Sequence, residues 1–141
     1  MSKRTGSVIA GLLLILTAVA CGDDTPASRG TAVVTLDAFS GLPNPTWALA
    51  EDQAAELLSM WDDLATTTTT EYSGYLGYRG VIVNFADGST VWVSRGIAVD
   101  DGPGDARADT DHALETWIIE TGRATLDPAL VESVMAEIAA G

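Results

Sequence analysis

Cys21 is the only cysteine in the chain, so no intramolecular disulfide can staple the fold and packing alone must hold it. What precedes the cysteine sharpens that constraint. Lys3 and Arg4 form a short positive head, and Ser7 to Ala20 is an almost wholly apolar run without charge. The run is shorter than the ~20 residues that cross a bilayer comfortably. A charged start, an apolar middle and small residues at the end are the marks of a secretory signal. A buried N-terminal helix fits poorly, because this stretch is apolar on every face. Exported chains of modest size often rely on disulfides, and this one cannot.

The cut point carries a resemblance. Ala18-Val19-Ala20-Cys21 resembles a bacterial lipobox, with Ala18 where leucine is more usual. The resemblance implies that residues 1–20 are removed, that the Cys21 sulfur takes a diacylglyceryl group, and that the new amine is acylated, which palmitate labelling would reveal. Each buried methylene contributes about 0.8 kcal/mol, so two or three chains hold firmly where one would come and go. Cys21 is then a membrane anchor, closed to catalysis and metal binding. The expected location is the cell envelope, extracytoplasmic, on the periplasmic or cell-surface side.

Removing residues 1–20 leaves 121 residues, enough for one domain with a core. That mature chain sets five arginines and no lysine against 20 acids, a formal charge of −15. Such a surface repels phosphate backbones, so no nucleic acid is expected as a partner. It repels anionic headgroups too, leaving the acyl chains as the membrane contact. Residues 22–30, GDDTPASRG, are polar and rich in turn formers, so residues 21–30 read as lipidated cysteine and flexible tether. Residues 31–141 form the domain.

Within it, Thr31 to Asp37 is a β-branched run of strand length. Ala38 to Ala50 carries Pro43, Pro45 and Gly41, a composition that predicts irregular structure. Ala50 to Ala65 places Ala54, Leu57, Leu58, Trp61 and Leu64 at helical spacing. Its start lacks a serine or threonine cap at Ala50, although Glu51 and Asp52 favour the positive helix end. Five threonines, 66–70, predict a loop or the frayed lead-in to an extended segment. Gly80–Phe85 and Thr90–Ser94 read as strands joined by a tight turn at Asp87-Gly88. Asp100 to Thr110 reads as a long acidic loop. His112 to Thr121 reads as a helix stopped by Gly122, and Asp127-Pro128 opens a last helix, with Leu126 stapled onto Val131. The expected fold is α+β, a small antiparallel sheet with two or three helices on one face. Trp61, Trp92 and Trp117 fall at element interiors, and Trp61 and Trp117 are expected to be largely buried.

Catalytic patterns are sparse, and no catalytic residue is assigned. His112, the only histidine, sits beside Asp109 and Asp111, but no serine occupies a G-x-S-x-G elbow. Carboxylate pairs mean little where 20 acids guarantee one. One histidine and a lipidated cysteine cannot build a zinc site of three ordinary ligands. Asp100, Asp101 and Asp105 are the candidates for a hard cation, yet their spacing fails the EF-hand pattern, and a solvated acidic loop is the expectation. No metal or cofactor is therefore expected.

Asp37 to Trp47, DAFSGLPNPTW, is the most specific stretch. Phe39 and Trp47 bracket a loop stiffened by Pro43 and Pro45, which lowers the entropy lost when the loop is ordered. As a recognition surface it would offer Ser40, Asn44, Thr46 and Trp47 to a ligand. As plain architecture it would bury its aromatics and tie the Asn44 side chain to neighbouring backbone. Together with Leu76 to Gly80, LGYRG, this stretch resembles a family of small bacterial proteins in which a similar loop leads into an amphipathic helix. The resemblance implies a shared fold; the family has no established activity, so no catalytic residue is carried over. The expected function is a lipid-anchored, non-enzymatic binding module for an envelope or extracellular protein or a small ligand. The alternative is a small carboxylate-dependent hydrolase of the envelope.

Overall fold

The computed structural model describes residues 28–70 and 77–141. The signal, the lipobox, Cys21 and Leu76 of LGYRG lie outside the described residues.

Ten elements follow in order: β1 (Ala32–Asp37), β2 (Thr46–Leu49), α1 (Glu51–Asp63), β3 (Ala65–Thr67), β4 (Gly80–Phe85), β5 (Thr90–Ser94), β6 (Ile97–Asp100), β7 (Ala106–Ala108), α2 (Ala113–Gly122) and α3 (Pro128–Ala140). The strands form one sheet in the order β2-β1-β4-β5-β6-β7-β3, antiparallel at every pairing. The fold is α+β. Its sheet has seven strands where the sequence suggested three.

Cross-strand partners share a face, so register shows how the sheet is divided. Leu36, Val81, Val93 and Ala98 form one row, all fully buried. They join Leu57 and Trp61 of α1, Ile118 of α2 and Val134 of α3 in one core. On the opposite face, Thr46, Thr35, Ile82, Trp92, Val99 and Ala106 form a row across six strands.

Four sequence expectations need correction. Thr46–Leu49 is a strand despite the prolines, because both precede it and each residue from Thr46 on keeps its N–H for β1. Part of the threonine run is β3, an edge strand paired with β7. The acidic stretch is not one loop: Asp100 ends β6, and Ala106–Ala108 is β7. The helices begin and end within two residues of expectation. Ala50 does precede α1, and Gln53 Oε1 accepts its N–H at 3.1 Å, so glutamine supplies what alanine lacks. Asp127 Oδ1 accepts from Ala129 N and Leu130 N at 2.9 and 3.1 Å, the cap its sequence announced, and Leu126 and Val131 are both buried. Trp61 is 5% exposed, whereas Trp117 is only half-buried against the core.

Candidate functional site

The strand directions give the sheet two ends. The chain enters at Arg29, beside the β4–β5 turn and the β6–β7 loop. The β1–β2 loop, the β5–β6 turn and the start of α2 occupy the far end.

At the far end the two sequence motifs interlock. Arg79 donates from Nε to Asp37 Oδ2 at 2.9 Å and from Nη2 to Asp37 Oδ1, a bidentate pair. The same guanidinium reaches the Phe39 carbonyl at 3.1 Å and Ser40 Oγ at 3.2 Å. Asn44 Oδ1 accepts from Ala38 N and Phe39 N, and Asn44 Nδ2 donates to Asp37 Oδ1 at 3.0 Å. The Arg79 hydrogen bond, opposed by burial and helped by Asn44, holds the Asp37 carboxyl below its ordinary pKa. Trp47 is buried, and its indole donates to Thr121 Oγ1 at 2.9 Å. Gly122 lies under that ring: a Cβ there would sit 2.6 Å from Trp47 Cε2. Of the four residues offered for recognition, Asn44 and Trp47 are thus held inward, while Ser40 and Thr46 are exposed.

Beside this knot lies a second one that the sequence did not announce. Glu115 is fully buried and accepts from the Tyr78 hydroxyl at 2.6 Å and from Arg95 N at 3.0 Å. His112 Nδ1 lies 3.4 Å from Glu115 Oε2. Asp109, equally buried, accepts from Leu114 N and Glu115 N at 3.0 and 2.9 Å, capping α2. Burial, and then the Glu115 charge, raises the Tyr78 hydroxyl well above its ordinary pKa. Arg95 and His112 have positive φ, the only non-glycine residues that do among those described, and both border this knot. The protein's own donors and backbone use these carboxylates, which gives them a structural task.

The acidic stretch divides similarly. Asp100 is buried, with Arg29 Nη2 at 2.6 Å and Gly102 N at 3.0 Å. Asp101 and Asp105 are exposed. Among the described residues no three histidine, cysteine or acidic side chains gather as a metal site.

The face of the sheet opposite the helical core holds a groove of about 310 Å³ whose described liners are Thr70, Ile82, Thr90, Trp92, Val99 and Asp101. Ile82, Trp92 and Val99 are neighbours in one cross-sheet row and supply apolar walls, including an indole. Thr70 and Thr90 bring hydroxyls, and Asp101 is the one charged liner among the described residues. Sequence reasoning placed Trp92 inside an element without a task, because Ile82 and Val99, which wall the groove beside it, come from other strands.

Comparison with family models, with curated proteins and with solved structures yields no match to this chain. Among the described residues no helix is long and apolar enough to cross a membrane.

Proposed function

We propose that this chain is a lipid-anchored domain of the cell envelope that works by binding, with the groove over Trp92 as its ligand site and no chemistry of its own. The groove carries the reading: an indole and two aliphatic walls with a single carboxylate among its described liners. Its size is at the lower end of small-molecule sites. An indole face attracts cations, Asp101 adds a full negative charge, and the −15 mature chain concentrates positive ligands around it. The matching ligand is a small molecule with an apolar body and an ammonium-type group. The Ala18–Cys21 sequence supplies the anchoring half of the proposal.

The hydrolase alternative draws on acids near the Phe39–Trp47 loop. Asp37, the acid at that loop, is tied by Arg79 and Asn44 and kept ionised by them, which supports binding over cleavage. The binding half is tested by titrating ¹⁵N-labelled protein with benzyltrimethylammonium and following the tryptophan indole signals. A saturable shift at the signal lost in Trp92→Phe, weakened in Asp101→Asn and absent with benzoate, is expected. No shift at that signal, or an equal one with benzyl alcohol, would sink the cation site. The anchoring half is tested by Cys21→Ser, which should abolish palmitate labelling and leave the protein uncut or soluble.

A further inference from the structure

We infer that the anchored domain stands on the entry end of its sheet, with the β4–β5 turn and β6–β7 loop toward the lipid headgroups and the Phe39–Pro45 loop directed away from them. The inference rests on the acylation of Cys21 proposed above and adds the pose.

By composition residues 21–30 read as a tether, and its last residues, Ser28 and Arg29, are bound to the domain. Arg29 pairs with the buried Asp100 at 2.6 Å, donates to Ser89 Oγ at 3.2 Å, and lies over the Phe85 ring, 5.3 Å from its centroid. Ser28 Oγ donates to Glu51 Oε1 at 3.3 Å, and Thr31 O accepts from Ala86 N at 2.9 Å. Five links therefore fasten the entry point to the end that carries Ala86–Ser89 and residues 101–105.

Length does the rest. Eight peptide steps separate Cys21 from Arg29. Fully extended they span at most about 29 Å. From the entry end, β1 rises about 20 Å over its six residues to Asp37, and the Phe39–Pro45 loop lies beyond it. The entry end is thus always within the tether's reach of the bilayer. The far loop stands about a strand's length further out unless the domain topples.

Charge opposes close approach. Asp87, Asp101 and Asp105 are exposed around the entry end, and Glu51 and Asp52 begin α1 beside Ser28. An anionic bilayer repels this rim over about a Debye length, roughly 8–10 Å at ordinary ionic strength. The domain then rides off the surface on its tether, closer to a zwitterionic bilayer than to an anionic one. Leu42, an apolar side chain 68% exposed, lies at the opposite end. The pose keeps it out of the membrane.

The full-length lipidated protein tests this, because acylation blocks the Cys21 thiol and leaves introduced cysteines free to be labelled. Fluorophores are attached at Ala86→Cys or Pro103→Cys on the entry end, and at Leu42→Cys on the far end. Each protein is reconstituted into phosphatidylcholine vesicles carrying a headgroup nitroxide quencher, with far-UV circular dichroism confirming the fold. Quenching several-fold stronger at positions 86 and 103 than at 42 is expected. Adding phosphatidylglycerol should weaken it at 86 and 103, and salt should restore it. Acylated protein with equal quenching at both ends, or stronger quenching at 42, overturns the pose alone. Mass spectrometry finding no acyl group on Cys21 overturns the anchoring and the pose together.

Discussion

The two ends of the sheet are built from opposite materials. At the far end, charged side chains are paired and bonded inward: Arg79 grips Asp37, and Glu115 collects Tyr78 and Arg95 N. At the entry end one such pair, Arg29–Asp100, is sealed in, and the remaining acids stand in water, as Asp101 and Asp105 do. A buried carboxylate is costly unless its donors are supplied, whereas an exposed one contributes little. The same residue type therefore holds structure where it is buried and mainly sets surface charge where it is exposed.

The largest expected effect is at Glu115. Its replacement by alanine strands the Tyr78 hydroxyl and the Arg95 amide, each at about 1–3 kcal/mol. With the packing lost as well, about 3–5 kcal/mol should disappear in urea unfolding, much of a domain's total stability. A loss under about 1 kcal/mol would show that the knot is ornamental and erase the contrast between the ends. Tyr78 sharpens the point with pH. Its folded-state pKa is raised, so its contribution is complete below the unfolded value near 10 and is lost as pH rises beyond it. Tyr78→Phe should be less stable at neutral pH and less sensitive to alkali. Parallel alkaline stability curves for the two proteins would contradict this.

Next comes Asp37. Its pKa is lowered in the fold, so its contribution is present above the usual value near 3.9 and fades as pH falls through the folded one. Asp37→Asn should lose about 1–3 kcal/mol at pH 7 and show a flatter acid limb. An unchanged limb would mean that the Arg79 pair is not felt.

A smaller loss, roughly 1 kcal/mol or more, is expected for Ser40→Ala with Asn44→Ala, since Asn44 caps Ala38 N and Phe39 N. Full stability combined with weakened capture of a partner would revive the loop as a recognition surface. The smallest effect belongs to the entry end. Asp101→Asn with Asp105→Asn should stay within about 0.5 kcal/mol, and calcium should raise the melting temperature no more than magnesium does. A selective rise at micromolar calcium would give those acids a task.

What could be read in advance was local. The β4–β5 hairpin closes at Asp87-Gly88 as its residues indicate, although of the pair only Gly88 has positive φ, 88, and Asp87 instead accepts at Oδ1 from Ser89 N at 2.8 Å. Asp127-Pro128 caps α3, and helical spacing marked α1. The four unforeseen strands are three or four residues long, too short for a period to show. The turn into β6 is Arg95-Gly96, with φ of 49 and 78, where asparagine or aspartate would have signalled a hairpin. At the candidate sites, Asn44's inward bonding was one of two readings open to the loop. The groove was invisible because Ile82, Trp92 and Val99 lie on three strands.

By itself, then, the sequence determined the elements whose signals sit within a few residues, and the reliance on packing that one cysteine imposes. It also carried the lipobox resemblance at Cys21 and the strong negative charge. Tertiary structure decided which carboxylates became structural. Nothing local distinguishes Asp100 from Asp101; the difference is an arginine 71 residues away that lies close to one and not to the other. Charge is a property of the residue, but its energetic weight depends on how much water remains around it, and only the assembled fold removes the water.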